Sequence, residues 1–473
     1  MPGNIKTYDL VIIGGGPAGI VGAATAIGFG KSVALVENHA ELGGAGINTG
    51  TVPSKTLRET ALTISGARSR KLCGVDLSLR REATVADLLR HQRAVKTTLN
   101  DMLSRAFDAA RADVYIANAC FEGPHTIGLL PCGPSCGGPG GEAVGHIWGD
   151  SVLIATGSSP VRPEVFPFHN GGIYDSDTIL ELKCLPDKIA VVGAGTIGCE
   201  YACIFGALNK EVHLIDGRDR LLAFLDAEMA GALTAAMTGM GIAFHWKERV
   251  QACRACDSEG VVLTLSSGAS LAVDAVLVAA GRKSNTDSLN LAAAGLTPGE
   301  RGLVGVDPHF RTEVAHIYAA GDVIGPPALA STSMEQARRA IRHAFGPTPT
   351  SDIAALLPTG VYTIPEIGMV GETEERLKDQ GVAYLVGRAA YRRSARGQII
   401  GDSDGMLKLL FRRSDFRLLG AHVIGEQATE LVHIGLLAML YDADAHLFDE
   451  MCFNLPTLGQ LYKLAALDAM RQA

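Results

Sequence analysis

The 473-residue sequence has no apolar run of 18 residues free of charge or turn signals, which excludes a transmembrane helix at the level of sequence. It also lacks an excess of positive charge. Its 42 Lys and Arg stand against 50 Asp and Glu, a formal −8, which argues against nucleic acid or an anionic membrane as the main partner. Cysteine–histidine sets at zinc spacing are missing. Of ten cysteines, Cys253 and Cys256 make one CxxC, and Cys132 and Cys136 flank Gly-Pro-Ser, with no second pair or histidine couple nearby. We read these four as turn or hairpin cysteines, and Cys199 and Cys203, four apart on an expected helix, as small core residues. No signal-peptide layout precedes the first expected strand, so a cytoplasmic protein with reduced thiols is expected.

Glycine, by contrast, is abundant at 56 residues, with 47% apolar and 19% charged residues. This mix predicts an α/β chain of two to four domains with many tight turns. The apolar run at 8–13 is followed by Gly14-Gly15-Gly16-Pro17-Ala18-Gly19, a helical stretch at 20–29 and a second strand that ends at Glu37. Strand, glycine turn, helix, strand and acid together form the dinucleotide fingerprint. Gly14, Gly16 and Gly19 let the backbone approach a pyrophosphate at the helix N-terminus, and Glu37, 18 positions after Gly19, suits ribose hydroxyls. The unit recurs. A strand at 189–192 leads into Gly193-Ala194-Gly195-Thr196-Ile197-Gly198, a helix, and a strand that ends at Asp216, again 18 positions on. Asp216 suits the free 2′-hydroxyl of NAD(H), while Arg218 and Arg220 can neutralise the 2′-phosphate of NADP(H). Tolerance of both nucleotides is therefore expected. A long helix is expected over 84–112 and strands over 113–130. The Pro/Gly-rich run at 131–142 is expected to be a loop insertion.

Between the two units lies Gly43-Gly44-Ala45-Gly46-Ile47-Asn48-Thr49-Gly50-Thr51-Val52-Pro53-Ser54-Lys55. This stretch resembles the redox-active helix of the flavoprotein disulfide reductases, whose frame reads GG-x-C-x4-C-x-P-S-K. Here Gly46 and Thr51 hold the two cysteine places, and neither side chain can form a thiolate or a disulfide. Near the C-terminus the Pro-Thr of the frame H-x-P-T-x-x-E is matched within Leu455-Pro456-Thr457-Leu458-Gly459-Gln460, without histidine or glutamate. Both halves of the dithiol machinery are absent. Nearly the whole chain carries the resemblance. Within that superfamily it is most similar to the soluble, Si-specific pyridine nucleotide transhydrogenases, on Asn48–Glu59, Asp219–Asp226, Asn285–Leu289, Pro358–Ile367 and Phe453–Thr457. Members of that subfamily often keep the first cysteine, and tend to have an aromatic at the Leu455 place and an acid at that of Gln460.

The resemblance implies two Rossmann-like dinucleotide-binding domains and an α+β C-terminal dimerisation domain. Its expected boundaries are 1–155 and 281–350 for FAD, 156–280 for NAD(P) and 351–473 for dimerisation. The first fingerprint, Gly44, Thr51, the Thr156-Gly157 turn, Gly281 and Asp322 would hold FAD. Asp322 would bond a ribityl hydroxyl, and a helix over 328–344 would point its N-terminus at the flavin. Lys55 would lie near flavin N5, paired with Glu200, and these two are the expected catalytic pair. The implied reaction is ping-pong hydride transfer from NADPH to NAD+ in a homodimer or higher homo-oligomer, with no metal. One rival is a diaphorase passing electrons to a quinone, metal or other small acceptor, with small Gly46 opening the far face of the flavin. The other is a nucleotide-binding protein that has lost turnover.

Overall fold

Strand Lys6–Ile13 buries Leu10, Val11, Ile12 and Ile13 in succession, and a strand apolar on both faces needs cover on both. The computed structural model, which describes residues 5–66, 84–110, 112–132, 143–256, 260–347 and 356–472, gives it that cover. Two compact units form: Met1–Pro53 with Gln92–Val161 and Gly281–Asp352, and Ser54–His91 with Arg162–Ala280 and Ile353–Ala473.

In the first unit Lys6–Ile13 lies between Val33–Glu37 and Gly145–Ile154, parallel to both. Asp113–Ile116 and Ile317–Ala319 extend the parallel sheet on either side, and Asn118–Phe121 and Thr126–Leu130 add antiparallel strands. Helices Pro17–Gly28 and Ala330–Phe345 pack against each other through small residues. A Cβ built on Gly22 would lie 3.8 Å from that of Ala337.

The second unit holds five parallel strands in the order Ala243–Trp246, Glu211–Asp216, Lys188–Val192, Ala275–Val278, Ile173–Asp175. Helix Thr196–Ala207 is buried at every position from Gly198 to Ala207, as a helix apolar on all sides but for Glu200 requires. The hairpin strands Val250–Cys256 and Gly260–Leu265, with Ser270–Val273, form a small antiparallel sheet that contains Cys253. The C-terminal part of this unit is a five-stranded antiparallel sheet, Thr359–Val361, Ile367–Gly371, Leu418–Ile424, Met406–Arg412, Tyr384–Ala390. Helices Ala428–Leu440 and Leu461–Met470 pack on it. The class is thus α/β with an α+β C-terminal part. No helix among the described residues is long and apolar enough to cross a membrane.

Two expectations shift. The stretch from Gly43 to Lys55 is not one helix but two, Gly44–Ile47 and Thr51–Ser65. The break has a bond of its own: the Gly50 N–H reaches the Ala45 carbonyl at 2.7 Å. After Asp322 a single 3-10 turn, Asp322–Ile324, precedes the helix, which starts at Ala330 and not at 328. Most of the Pro/Gly-rich run, at 133–142, lies outside the described residues.

Candidate functional site

The two fingerprints build the same local object. Gly14 and Gly193 adopt φ of +106° and +111°, and a side chain on either would run into the carbonyl of Ala155 or Ala279. Only glycine meets both demands. A Cβ on Gly19 would overlap the Gly14 carbonyl oxygen, and one on Gly198 that of Gly193, so the glycines set how closely each helix follows its strand. The N-caps Gly16 and Gly195 give their helices no side-chain cap. Their first N–H groups are thereby left to an anion.

Each unit's acid first serves the turn. Glu37 accepts the Gly15 N–H at 2.7 Å and the His39 N–H at 2.9 Å. Asp216 accepts the Ala194 N–H at 2.6 Å. Asp216 is also gripped by Arg218, whose Nε and Nη2 donate at 2.9 and 2.8 Å. Burial alone would raise this carboxyl, but the Arg218 and backbone hydrogen bonds overrule it and hold it at about 2. Arg220 turns away and donates to the Ala223 carbonyl at 2.9 Å.

In the first unit the predicted FAD residues converge. The Gly43 N–H bonds the Gly15 carbonyl at 2.8 Å, and a Cβ on Gly44 would lie 2.8 Å from Gly16 Cα. Gly46 is buried, and its Cβ would meet Pro17 Cγ at 2.5 Å. The room that a missing cysteine leaves is therefore filled by Pro17 on that side. Thr51 opens the following helix. Thr156 follows the strand that ends at Ile154, and its Oγ1 is buried without a partner among the described residues. Gly157 and Gly281 both have positive φ and open space where a Cβ would stand. Asp322 Oδ2 accepts the Ser158 hydroxyl at 2.6 Å, and Arg282 donates to Ser158 Oγ at 2.7 Å and to its carbonyl at 2.6 Å. The glycine cradle, the uncapped helix and the orphaned Thr156 hydroxyl fit a dinucleotide cofactor such as FAD.

In the second unit Lys55 Nζ meets Glu200 Oε2 at 2.7 Å. Lys55 is a quarter exposed and Glu200 almost fully buried, at 25% and 4%. Glu200 Oε1 accepts the Tyr362 N–H at 2.9 Å, and the Tyr362 ring lies 4.9 Å from the ammonium. Buried Arg58 donates to the Thr363 carbonyl at 2.9 Å and so ties helix Thr51–Ser65 to the loop that carries Tyr362. The arrangement presents an ammonium whose position is set by Glu200 and the Tyr362 ring.

Tyr362, Ser158 and Arg282 were not anticipated from the sequence. The paired ATG-type and GR turns could have hinted at Ser158 and Arg282. Nothing local marks Tyr362. Cys199 and Cys203 are fully buried, as expected, and no cluster of metal-ligating side chains occurs among the described residues.

Comparison with known proteins agrees with this geometry. The family model for pyridine nucleotide-disulphide oxidoreductases matches residues 8–344, and that family's dimerisation domain matches residues 357–466. The chain is 43% identical to a soluble pyridine nucleotide transhydrogenase of Mycobacterium bovis (strain BCG / Pasteur 1173P2), over 99% of this chain and 98% of that one. It is 38% identical to one of Enterobacter sp. (strain 638), over 98% of both. Among solved structures, the Cu(II) complex of the HOCl-induced flavoprotein disulfide reductase RclA from Escherichia coli superposes with a TM-score of 0.86 at 27% identity, covering 98% of this chain and all of that one. LpdA from Mycobacterium tuberculosis shares the fold, with a TM-score of 0.87 over 99% of this chain and all of that one. The chain belongs to the pyridine nucleotide-disulphide oxidoreductase family and, within it, groups with the soluble pyridine nucleotide transhydrogenases.

Proposed function

We propose that the chain transfers hydride from NADPH to NAD+ through one bound FAD, taking the two nucleotides in turn at a single nicotinamide site in the cytoplasm. Bound FAD supplies the redox chemistry, accepting a hydride from one nicotinamide and returning it to the other. The chain supplies position and charge. Gly14, Gly16, Gly19 and Gly44 shape the FAD pyrophosphate site at the start of helix Pro17–Gly28. Glu37, Thr156 and Asp322 offer hydrogen bonds to its hydroxyls, with Thr51, Gly157 and Gly281 lining the approach. Gly193, Gly195 and Gly198 receive the nicotinamide nucleotide, whose adenosine ribose meets Asp216 and Arg218. Lys55 is assigned to flavin N5 by the family resemblance, and Glu200 and Tyr362 keep its ammonium in place.

The observation that carries this reading is the intact Lys55–Glu200 pair in a chain with Gly46 and Thr51 at the cysteine places. The charge device is kept where a disulfide relay has no atoms to work with. The test is anaerobic. NADPH is mixed with the purified holoenzyme while the flavin absorbance is followed, and a coloured NAD+ analogue is then added. Fast bleaching and fast return of colour, with hydride recovered on the analogue, are expected. Bleaching that NAD+ and its analogue fail to reverse rejects transhydrogenation, and no bleaching by either NADPH or NADH rejects enzyme function altogether.

A homodimer forms part of the proposal. Leu437, Tyr441, Leu447 and Leu455 are each exposed in the C-terminal part of the chain, with Tyr441 at 78%, and large apolar side chains left in water favour a second copy as cover. Tyr441→Asp is expected to shift the protein toward monomer in sedimentation; an unchanged dimer would place the interface elsewhere.

A further inference from the structure

We infer that Arg249, with Arg218, holds the 2′-phosphate of NADP(H), and that Arg249 is the residue that separates NADP(H) from NAD(H) at this site. The inference rests on the reading of the second fingerprint as the nicotinamide nucleotide site and assigns the side chain that discriminates within it.

Charge balance leads to this residue. Arg218 is folded back on Asp216 through two side-chain bonds, and its own N–H adds a third at 2.8 Å. Carboxylate and guanidinium together are a neutral unit, suited to the two hydroxyls of an NAD(H) ribose. A 2′-phosphate brings close to two negative charges. Beside a carboxylate it meets repulsion unless a further cation is present, and Arg218 alone only cancels Asp216.

The loop that follows strand Ala243–Trp246 brings that cation. The Lys247 N–H bonds the Arg218 carbonyl at 3.0 Å, and the Glu248 N–H bonds the Asp216 carbonyl at 3.2 Å. These two bonds fasten the loop to the turn that carries Asp216. Arg249 then lies across Gly217. A Cβ on Gly217 would stand 3.1 Å from Arg249 Nε and 3.8 Å from its Nη2. Any other residue at 217 would crowd the guanidinium, so the glycine makes its place.

Arg249 is exposed, and its guanidinium has no carboxylate within ion-pair distance among the described residues. The carboxylates around it are otherwise engaged. Glu248 accepts from the Ser266 hydroxyl and the Ser267 N–H at 2.5 and 3.0 Å, and Asp219 faces Lys247 at 3.6 Å. Arg220, the other arginine of the segment, is committed to the Ala223 carbonyl. A guanidinium that is both uncommitted and placed beside the ribose-binding acid is suited to phosphate recognition.

Calorimetry on the FAD-loaded protein tests this without turnover. The probes are 2′,5′-ADP, which carries the 2′-phosphate, and 5′-ADP, which lacks it. Arg249→Gln is expected to weaken 2′,5′-ADP by about 10- to 100-fold and to flatten its salt dependence, while 5′-ADP binds as before. Arg249→Lys should recover part of the loss. Unchanged 5′-ADP binding also reports that the variant is folded. Equal 2′,5′-ADP binding by Arg249→Gln and the parent overturns the assignment, as does a loss that appears in Arg220→Gln instead. Failure of the parent protein to bind either probe overturns the placement of the nucleotide on the second fingerprint, and this inference with it.

Discussion

The ion pair between Lys55 and Glu200 is asymmetric, and the asymmetry makes its two single substitutions unequal. Lys55→Met leaves a carboxylate that is only 4% exposed, still bonded by the Tyr362 N–H but without a counter-ion. We expect a loss of about 3 kcal/mol in urea unfolding. Glu200→Gln leaves a lysine that can turn toward water, and about 1–2 kcal/mol is expected. Flavin reduction by NADPH should fall by roughly 10²- to 10³-fold in Lys55→Met. Equal stability losses in the two variants would mean that the pair is less buried in solution than here. The two helix cysteines make a separate case. Burial pushes the Cys203 thiol up to about 12 and Cys199 well above the ordinary range. At pH 8 a thiol of that kind is ionised roughly one part in ten thousand. A maleimide should therefore label exposed Cys132, Cys184 and Cys452 in the native protein and reach Cys199 and Cys203 only after denaturation. Early labelling of either would contradict the packing of helix Thr196–Ala207. At this scale legibility followed distance along the chain. Glu37 and Asp216 stand at a fixed offset from their glycines. Lys55 and Glu200 each belong to a local motif. Tyr362 meets Glu200 across 162 positions and Arg282 meets Ser158 across 124, and no local pattern encodes contacts of that span.

Among elements, each strand–turn–helix unit depends on one point of near contact, where the third glycine of the fingerprint meets the carbonyl of the first. A methyl group on Gly19 or Gly198 has no room there, and the helix must move off its strand and carry its N-terminus away from the phosphates. Because each glycine belongs to a separate sheet, the two losses should be separable. Gly19→Ala is expected to strip FAD, seen as a colourless protein. Gly198→Ala should retain the yellow colour but weaken 5′-ADP by at least about tenfold, since an anion site at a helix terminus falls off within the first turn. Loss of flavin from Gly198→Ala would show that the two sheets do not hold their nucleotides independently. Elements whose hydrophobic period and turn residues agree, such as strand Lys188–Val192 and the strands that end at Glu37 and Asp216, were legible from the sequence almost to the residue. The break at residues 48–50 was not. Ala45, Gly46, Thr49 and Gly50 fit a continuing helix as well as an interrupted one, and the choice is made by tertiary bonds. Among these are the Gly43 N–H to the Gly15 carbonyl and the Asn100 side chain to Asn48 Oδ1 at 3.1 Å.

At the scale of the whole molecule, the second unit contains a parallel nucleotide sheet and an antiparallel C-terminal sheet, joined at a buried charge cluster. Lys408, 1% exposed on strand Met406–Arg412, reaches Asp226 at 2.8 Å, Glu228 at 2.9 Å and Glu374 at 2.5 Å. Asp226 and Glu228 lie at the start of helix Ala227–Gly239, and Asp226 also caps it through the Glu228 N–H at 3.1 Å. Fully buried His422 stands on the neighbouring strand Leu418–Ile424, with Nε2 at 2.8 Å from the Glu372 carbonyl. Burial opposes every charge here, yet the mutual hydrogen bonds overrule it. Asp226, Glu228 and Glu374 are held below the ordinary carboxylate range and Lys408 above the ordinary lysine range, while burial lowers His422. The signs then fix where stability is lost. A lowered histidine contributes stability above its ordinary value near 6.5 that falls as pH drops toward the folded value. The lowered carboxylates add a second loss below about pH 4, and raised Lys408 a third above about pH 10.4. Lys408→Met abolishes the alkaline loss and strands Asp226, at a cost of about 3–5 kcal/mol at neutral pH. Asp226→Asn combined with Lys408→Met should recover part of that cost, since the one fully buried carboxylate is then neutral while Glu228 and Glu374, partly exposed, still have Arg388 beside them. Urea unfolding from pH 3 to 11 measures the parent and both variants. If the double variant is no more stable than Lys408→Met, the cost of that substitution does not come from a stranded Asp226.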